Sequence, residues 1–277
     1  MSTAPENAAQ GTPAPENALA GRVIAVAGAS GAAGRATLRR LAKAGAVLAA
    51  AGRDPQRLDA VVEATRTAVP GARIEGQDVD LLDPQAARDW ADDVEERHGR
   101  VDGLLHLVGG WRGGKVFDDS ALADWDLLQD QLVRTVQHTS LAFHEPLLRS
   151  PQGRFAIVSA AGAAKPAAGN AAYAAAKAAA EAWTGALADS FAKHAAAAAS
   201  QAPASEPPAI PGTPSGPSAA AVILVVKALL TPEMRAAKPE AKFSGFTHVD
   251  ELAEALAGLW DRPAADLNGT HLWLTPR

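Results

Sequence analysis

Seven short apolar runs, separated by long alanine-rich helical stretches, constrain this chain more than any other feature. They are "RVIAVAG" from Arg22, "AVLAAAG" from Ala46, "ARIEGQD" from Ala72, "VDGLLHLVGG" from Val101, "GRFAIVSA" from Gly153, "AAAVILVV" from Ala219 and "THLWLT" from Thr270. Strands that alternate with helices are joined by crossovers, so they run parallel and the helices cover both faces of the sheet. Most runs are almost continuously apolar, as a strand buried on both faces must be. The expected class is therefore α/β, with a parallel sheet of about seven strands.

A chain of 277 residues at 48% hydrophobic can bury one large core, and residues 21–277 read as a single domain. Residues 1–20 hold "TAPENA" and then "PAPENA" and little to bury, so they read as a disordered tail. A low-complexity insertion at about 195–219, "AAAAASQAPASEPPAIPGTPSGPS", interrupts the rhythm with prolines and small polar residues. It is either a lid or docking loop or a tolerated surface insertion. The crossover rule favours the insertion, because it puts this connection at the end of the sheet away from ligands. A net charge of −5 lacks the basic excess of nucleic-acid binding. With no cysteine there is no thiolate site, and the seven histidines show no metal-ligand spacing. No apolar run approaches a membrane span and no secretory signal is evident, so a cytoplasmic location is expected.

Three stretches carry chemistry. "GASGAAG" follows the first run with Gly28, Gly31 and Gly34 spaced three apart, then a helix. Such glycines allow a tight turn and let a pyrophosphate approach the backbone at a helix N-terminus, although they also serve plain helix-on-strand packing. The second run ends in "AAAGRD". Arg53 can pair with a ribose 2'-phosphate, which favours NADP (as NADPH) and makes NAD less favoured, while Asp54 is the residue that would serve NAD. Asp78, after the third run, is either an acceptor for an adenine amino group or a helix N-cap. Tyr173 and Lys177 stand four apart in "YAAAK" and share a helix face. An ammonium there favours the phenolate and lowers the tyrosine's pKa. Ser159 ends the preceding strand and can bond a substrate oxygen or nitrogen. His106 reads as a hydrogen-bonded core residue.

On these motifs the chain resembles the short-chain dehydrogenase/reductase family from Arg22 to the C-terminus, apart from the insertion. The resemblance implies a Rossmann-type doubly wound sheet, a nicotinamide cofactor and a small-molecule substrate, with a homodimer or homotetramer as the expected assembly. It makes Tyr173 the proton donor, Lys177 its activator and ribose anchor, and Ser159 the substrate polariser. Cofactor contacts are implied at Gly28, Ser30, Gly31, Ala33, Gly34, Arg53, Asp78, Val79, Gly109, Gly110, Lys177 and Thr231. Three features depart from the family: Ala32 stands at the second glycine of the usual loop, "HLVG" replaces Asn-Asn-Ala-Gly, and Leu132 stands where a catalytic asparagine is usual. Gly-x-x-Gly-x-x-Gly, "LVGGWRGG" and "TPEMRAAKPEAKFSGFT" are similar to the quinonoid dihydropteridine reductase branch. That likeness implies reduction of a planar C=N or C=O group against Trp111. Arg53 and Ser159 fit that branch poorly, which keeps open a ketoreductase of secondary metabolism, or a protein that binds NADP(H) without turnover.

Overall fold

The computed structural model describes residues 17–119, 122–201 and 218–276. All seven apolar runs form strands of one parallel sheet, ordered β3-β2-β1-β4-β5-β6-β9. These are β1 (Val23–Ala27), β2 (Val47–Gly52), β3 (Arg73–Asp78), β4 (Gly103–His106), β5 (Arg154–Ala160), β6 (Ala220–Val226) and β9 (His271–Trp273). Two further pieces, β7 (Leu229–Leu230) and β8 (Thr247–His248), pair with each other outside the sheet; at two residues each they carry no readable periodicity. The edge strand β3, "RIEGQD", is mostly exposed and charged, which blunts an open sheet edge.

Side chains alternate across the sheet and so divide the core. Ile24 and Val26 of β1 face α1 (Ala32–Lys43), α2 (Pro55–Ala68) and the C-terminal helices. Val23, Ala25 and Ala27 face the opposite layer, built from α3 (Pro84–His98), α5 (Thr135–Arg149) and α7 (Ala171–Gln201). The remaining helices are α4 (Leu122–Gln129), α6 (Ala161–Ala164), α8 (Pro232–Ala237), α9 (Val249–Ala257) and α10 (Ala264–Leu267). Three helix starts are written in the sequence as a capping side chain before proline. Asp54, Asp83 and Thr231 accept from the backbone N–H of Arg57, Gln85 and Met234. Proline at the first helical position loses no bond there.

Two boundaries differ from the sequence reading. Leu19, inside the stretch read as tail, is 1% exposed and its N–H donates to the Ala44 carbonyl. One apolar side chain close to β1 is enough to tie 17–20 to the core; residues 1–16 lie outside the described residues. The helix entering the insertion does not stop near Ala195, because alanine has the highest helix propensity and α7 continues to Gln201. Residues 202–217 of the insertion are likewise outside the described residues. The chain returns at Ser218, whose carbonyl accepts from Arg154 at the start of β5. This is the amino end of the strands, opposite the cleft described next. No described helix is long and apolar enough to cross a membrane.

Candidate active site

A cleft of about 260 Å³ opens at the carboxyl ends of β1 to β4, where the strand order reverses. Crossovers depart in opposite directions at that point and leave a crevice. Its wall comprises Gly28, Ser30 and Gly31 after β1, and Gly52, Arg53, Asp54 and Arg57 after β2. Val79 to Leu82 follow β3, Leu107 to Gly109 follow β4, and Gln131 and Thr135 come from the α4–α5 run.

The turn after β1 is set by backbone geometry. Gly28 has φ +78°, and a Cβ there would lie 2.7 Å from the Leu107 carbonyl carbon and the Val108 nitrogen. A Cβ at Gly34 would lie 2.4 Å from the Gly28 carbonyl oxygen, so this glycine lets α1 press against the turn. Gly31 is free of such contact and caps α1, whose N-terminus is open to the cleft. A helix N-terminus carries unpaired N–H groups and partial positive charge, so these residues fit the pyrophosphate of a dinucleotide. Ala33 packs against the core outside the cleft.

At the second corner the Asp54 carboxylate accepts from the Arg57 N–H at 3.1 Å and is committed to capping α2. Arg53 and Arg57 are both exposed and both line the cleft, so the corner presents two guanidinium groups. Arg57 was not anticipated; the Asp54–Pro55 helix start, which puts it in the first turn of α2, was the available signal. Asp78 is exposed and stands outside the cleft wall, while Val79 and Asp80 line it. Its N-cap reading is also corrected, because α3 begins at Pro84 behind Asp83.

The other half of the site is carried by α7. Tyr173 packs against the buried cluster of Leu128, Leu132 and Ala176, so the leucine that the resemblance sets in the asparagine's place is buried there. Burial raises the Tyr173 pKa, contrary to the lowering expected from Lys177. The Lys177 Nζ lies 5.9 Å from the Tyr173 ring centre and donates to the Val158 carbonyl at 2.7 Å. Burial pushes Lys177 down to about 8, opposed by the charge of Glu181. Ser159 is corrected more sharply. It is 1% exposed and its hydroxyl donates to Glu181 at 2.5 Å. Its side chain is turned toward α7 and is not available to polarise a substrate.

Both halves meet along the α4–α5 run, which widens into one π-helical turn at Asp130–Arg134. Gln131 and Thr135 of this run face the cleft while Leu128 and Leu132 face Tyr173. Thr135 and Thr139 also flank buried His106, at 3.1 Å from Nε2 and 3.0 Å from Nδ1. Burial, with Lys177 as a lesser cause, pushes His106 down to about 3, so it stays neutral. His106 is thus the hydrogen-bonded core residue expected, tying β4 to α5.

The four glycines of "LVGGWRGG" divide into two pairs. Gly109 borders open space in the cleft wall, and Gly110 lies against the Gln131 side-chain oxygen. Gly113 and Gly114 instead dock on the turn before Tyr173. Gly114 donates its N–H to the Gly169 carbonyl at 2.8 Å, and a Cβ on Gly113 would lie 2.6 Å from that same oxygen. Trp111 between the pairs is 59% exposed and folds over Gly113, outside the cleft wall. Thr231 also stands outside it, its hydroxyl capping α8 at Met234.

This fold and the Tyr173–Lys177 pair define a dinucleotide-type α/β oxidoreductase. The short chain dehydrogenase family model matches residues 22–205, and the chain belongs to that family. A protein named as a daunorubicin C-13 ketoreductase from Streptomyces sp. strain C5 is 32% identical over 97 residues, spanning 35% of this chain and 33% of that relative. An NADPH-bound short chain oxidoreductase from Pseudomonas aeruginosa PAO1, described as containing an atypical catalytic center, superposes with TM-score 0.77 at 22% identity, covering 94% of this chain and 96% of that one. A short chain dehydrogenase from Burkholderia cenocepacia J2315 in complex with NADP gives 0.73 at 26%, covering 94% and 98%.

Proposed function

We propose that the chain is an NADPH-dependent reductase that delivers hydride to a planar C=N or C=O group while Tyr173 donates the proton. The observation that carries this reading is the placement of Tyr173 and Lys177 on α7 behind the same helical wall that lines the cleft. NADPH is preferred over NADH because Arg53 and Arg57 can pair with a 2'-phosphate while the Asp54 carboxylate is occupied by its helix. The bound cofactor supplies the hydride. The protein's part is to seat the pyrophosphate on the α1 N-terminus, hold the Tyr173 phenol in an apolar setting, and keep Lys177 beneath it. A raised phenol pKa suits a group that must hold its proton until hydride transfer leaves an anion to receive it.

With Ser159 turned away and Leu132 apolar, an acceptor that needs one proton and little polarisation fits this site best. A quinonoid dihydropterin has that chemistry, and Trp111, exposed just past the cleft-wall residue Gly109, is the ring it would stack on if that stretch turned toward the cleft. Reduction of an ordinary ketone is the second reading, supported by the ketoreductase relative. Turnover of NADPH with quinonoid dihydropterin and with a ketone panel separates the two. The pterin reading expects Trp111→Ala to raise KM more than it lowers kcat; ketone turnover alone, indifferent to Trp111→Ala, removes it. A homodimer or homotetramer belongs to the same reading, and Leu141 on α5, 65% exposed, is a side chain such an assembly would cover.

A further inference from the structure

Lys177 is 8% exposed, and burial opposes its ammonium form. Its surroundings give that charge little support. From β5 it has one carbonyl, Val158 at 2.7 Å. The α4–α5 run brings Leu128 and Leu132 against the same turn of α7. His106 from β4 is neutral, and Tyr173, one turn earlier on α7, is a phenol. Among the groups that act electrostatically on Lys177, Glu181 one turn later on α7 is the anion.

Glu181 is held from two directions. Its Oε1 accepts from the buried Ser159 hydroxyl at 2.5 Å, and its Oε2 lies 3.4 Å from the His271 Nε2 at the start of β9. Lys177 and Glu181 stand four apart on one face of α7, and successive β5 residues hold them, Val158 the lysine and Ser159 the glutamate. A surface carboxylate would swing freely and be screened by water, but this side chain is only 20% exposed. We propose that Glu181 is a positioning residue of the catalytic centre, held by Ser159 and His271 so that its carboxylate keeps buried Lys177 charged beside Tyr173. The inference rests on the reading of Lys177 as the activator of Tyr173, and it gives Ser159 a part in the site without substrate contact.

The test is direct titration of Lys177 by NMR in protein carrying ¹³Cε-lysine, without cofactor or substrate, with the resonance assigned from Lys177→Arg. Glu181→Gln keeps an acceptor for Ser159 and removes the charge. Its Lys177 should titrate about one unit below the wild-type value, and Glu181→Asp should recover part of that shift. Ser159→Ala, which removes only the orienting bond, should give a smaller shift in the same direction and serves if Glu181→Gln does not fold. Unchanged Lys177 titration in either folded variant overturns the proposal. Failure to reduce any acceptor would count against the proposed function while leaving this titration decisive for Glu181.

Discussion

The cleft and the side-chain cluster behind its α4–α5 wall are built from different material. The side after β1 is mostly backbone, where Gly28 and Gly34 are fixed by contacts too short for any Cβ and the α1 N-terminus faces the opening. Behind the α4–α5 wall of the cleft lies a cluster made of side chains, Tyr173, Lys177 and Glu181 on α7 and Ser159 on β5, each set by what it touches. A backbone-built site tolerates little substitution and announces itself through glycine. A side-chain site can keep its fold while exchanging partners, as this chain does in turning Ser159 to Glu181 and placing Leu132 against Tyr173.

The largest effect expected outside catalysis falls on the seam between the two sides. His106 titrates near 3 in the folded protein against 6.5 unfolded, so on acidification the unfolded chain takes up a proton that the folded chain refuses. Stability is fully retained above pH 6.5 and falls as pH drops through that value toward 3. The slope is about 1.4 kcal/mol per pH unit, or about 2 kcal/mol lost by pH 5. Denaturant unfolding at neutral pH and at pH 5 should show this loss in the wild type and a smaller one in His106→Asn. Equal losses would mean that the seam opens to water.

A somewhat smaller effect should be confined to the backbone-built side. Arg53→Ala and Arg57→Ala are each expected to cost about 1.5 kcal/mol in NADPH binding, about tenfold in Kd, and to leave NADH binding unchanged. Equal losses for both cofactors would show that the guanidinium groups meet the pyrophosphate, leaving the 2'-phosphate assignment without support. The smallest effect tests a residue excluded from the cleft. Thr231→Ala should cost about 1 kcal/mol of stability as a lost helix cap. NADPH affinity should not change, and a weaker Kd would restore Thr231 to the cofactor.

The same division decides what could be read in the sequence. All seven strands, and the two-faced burial of the inner ones, were legible because apolar runs of this length have few other uses. The "GASGAAG" turn was legible because its glycines answer to backbone geometry, whereas Asp54 and Thr231 were read for a cofactor and Asp83 was passed over, although the proline after each marks it as a helix cap. Ser159 was misplaced because strand position gives the face on which a hydroxyl lies and says nothing of a carboxylate waiting there from α7. The direction of the Tyr173 shift depends on burial of its ring, and Leu128 and Leu132 of the cluster it packs against come from a distant segment. Gln131 and Thr135 reach the cleft through a π-helical turn that no spacing rule for an α-helix places.

If the backbone-built cleft binds the cofactor and the α7 cluster carries the chemistry, the two functions must separate in one variant. That separation is tested most directly by measuring NADPH affinity and single-turnover reduction of an accepted substrate on the same Tyr173→Phe protein. NADPH affinity should be unchanged and the rate lower by about 10² to 10⁴-fold, the usual worth of a positioned proton donor. Wild-type turnover in Tyr173→Phe would contradict this division.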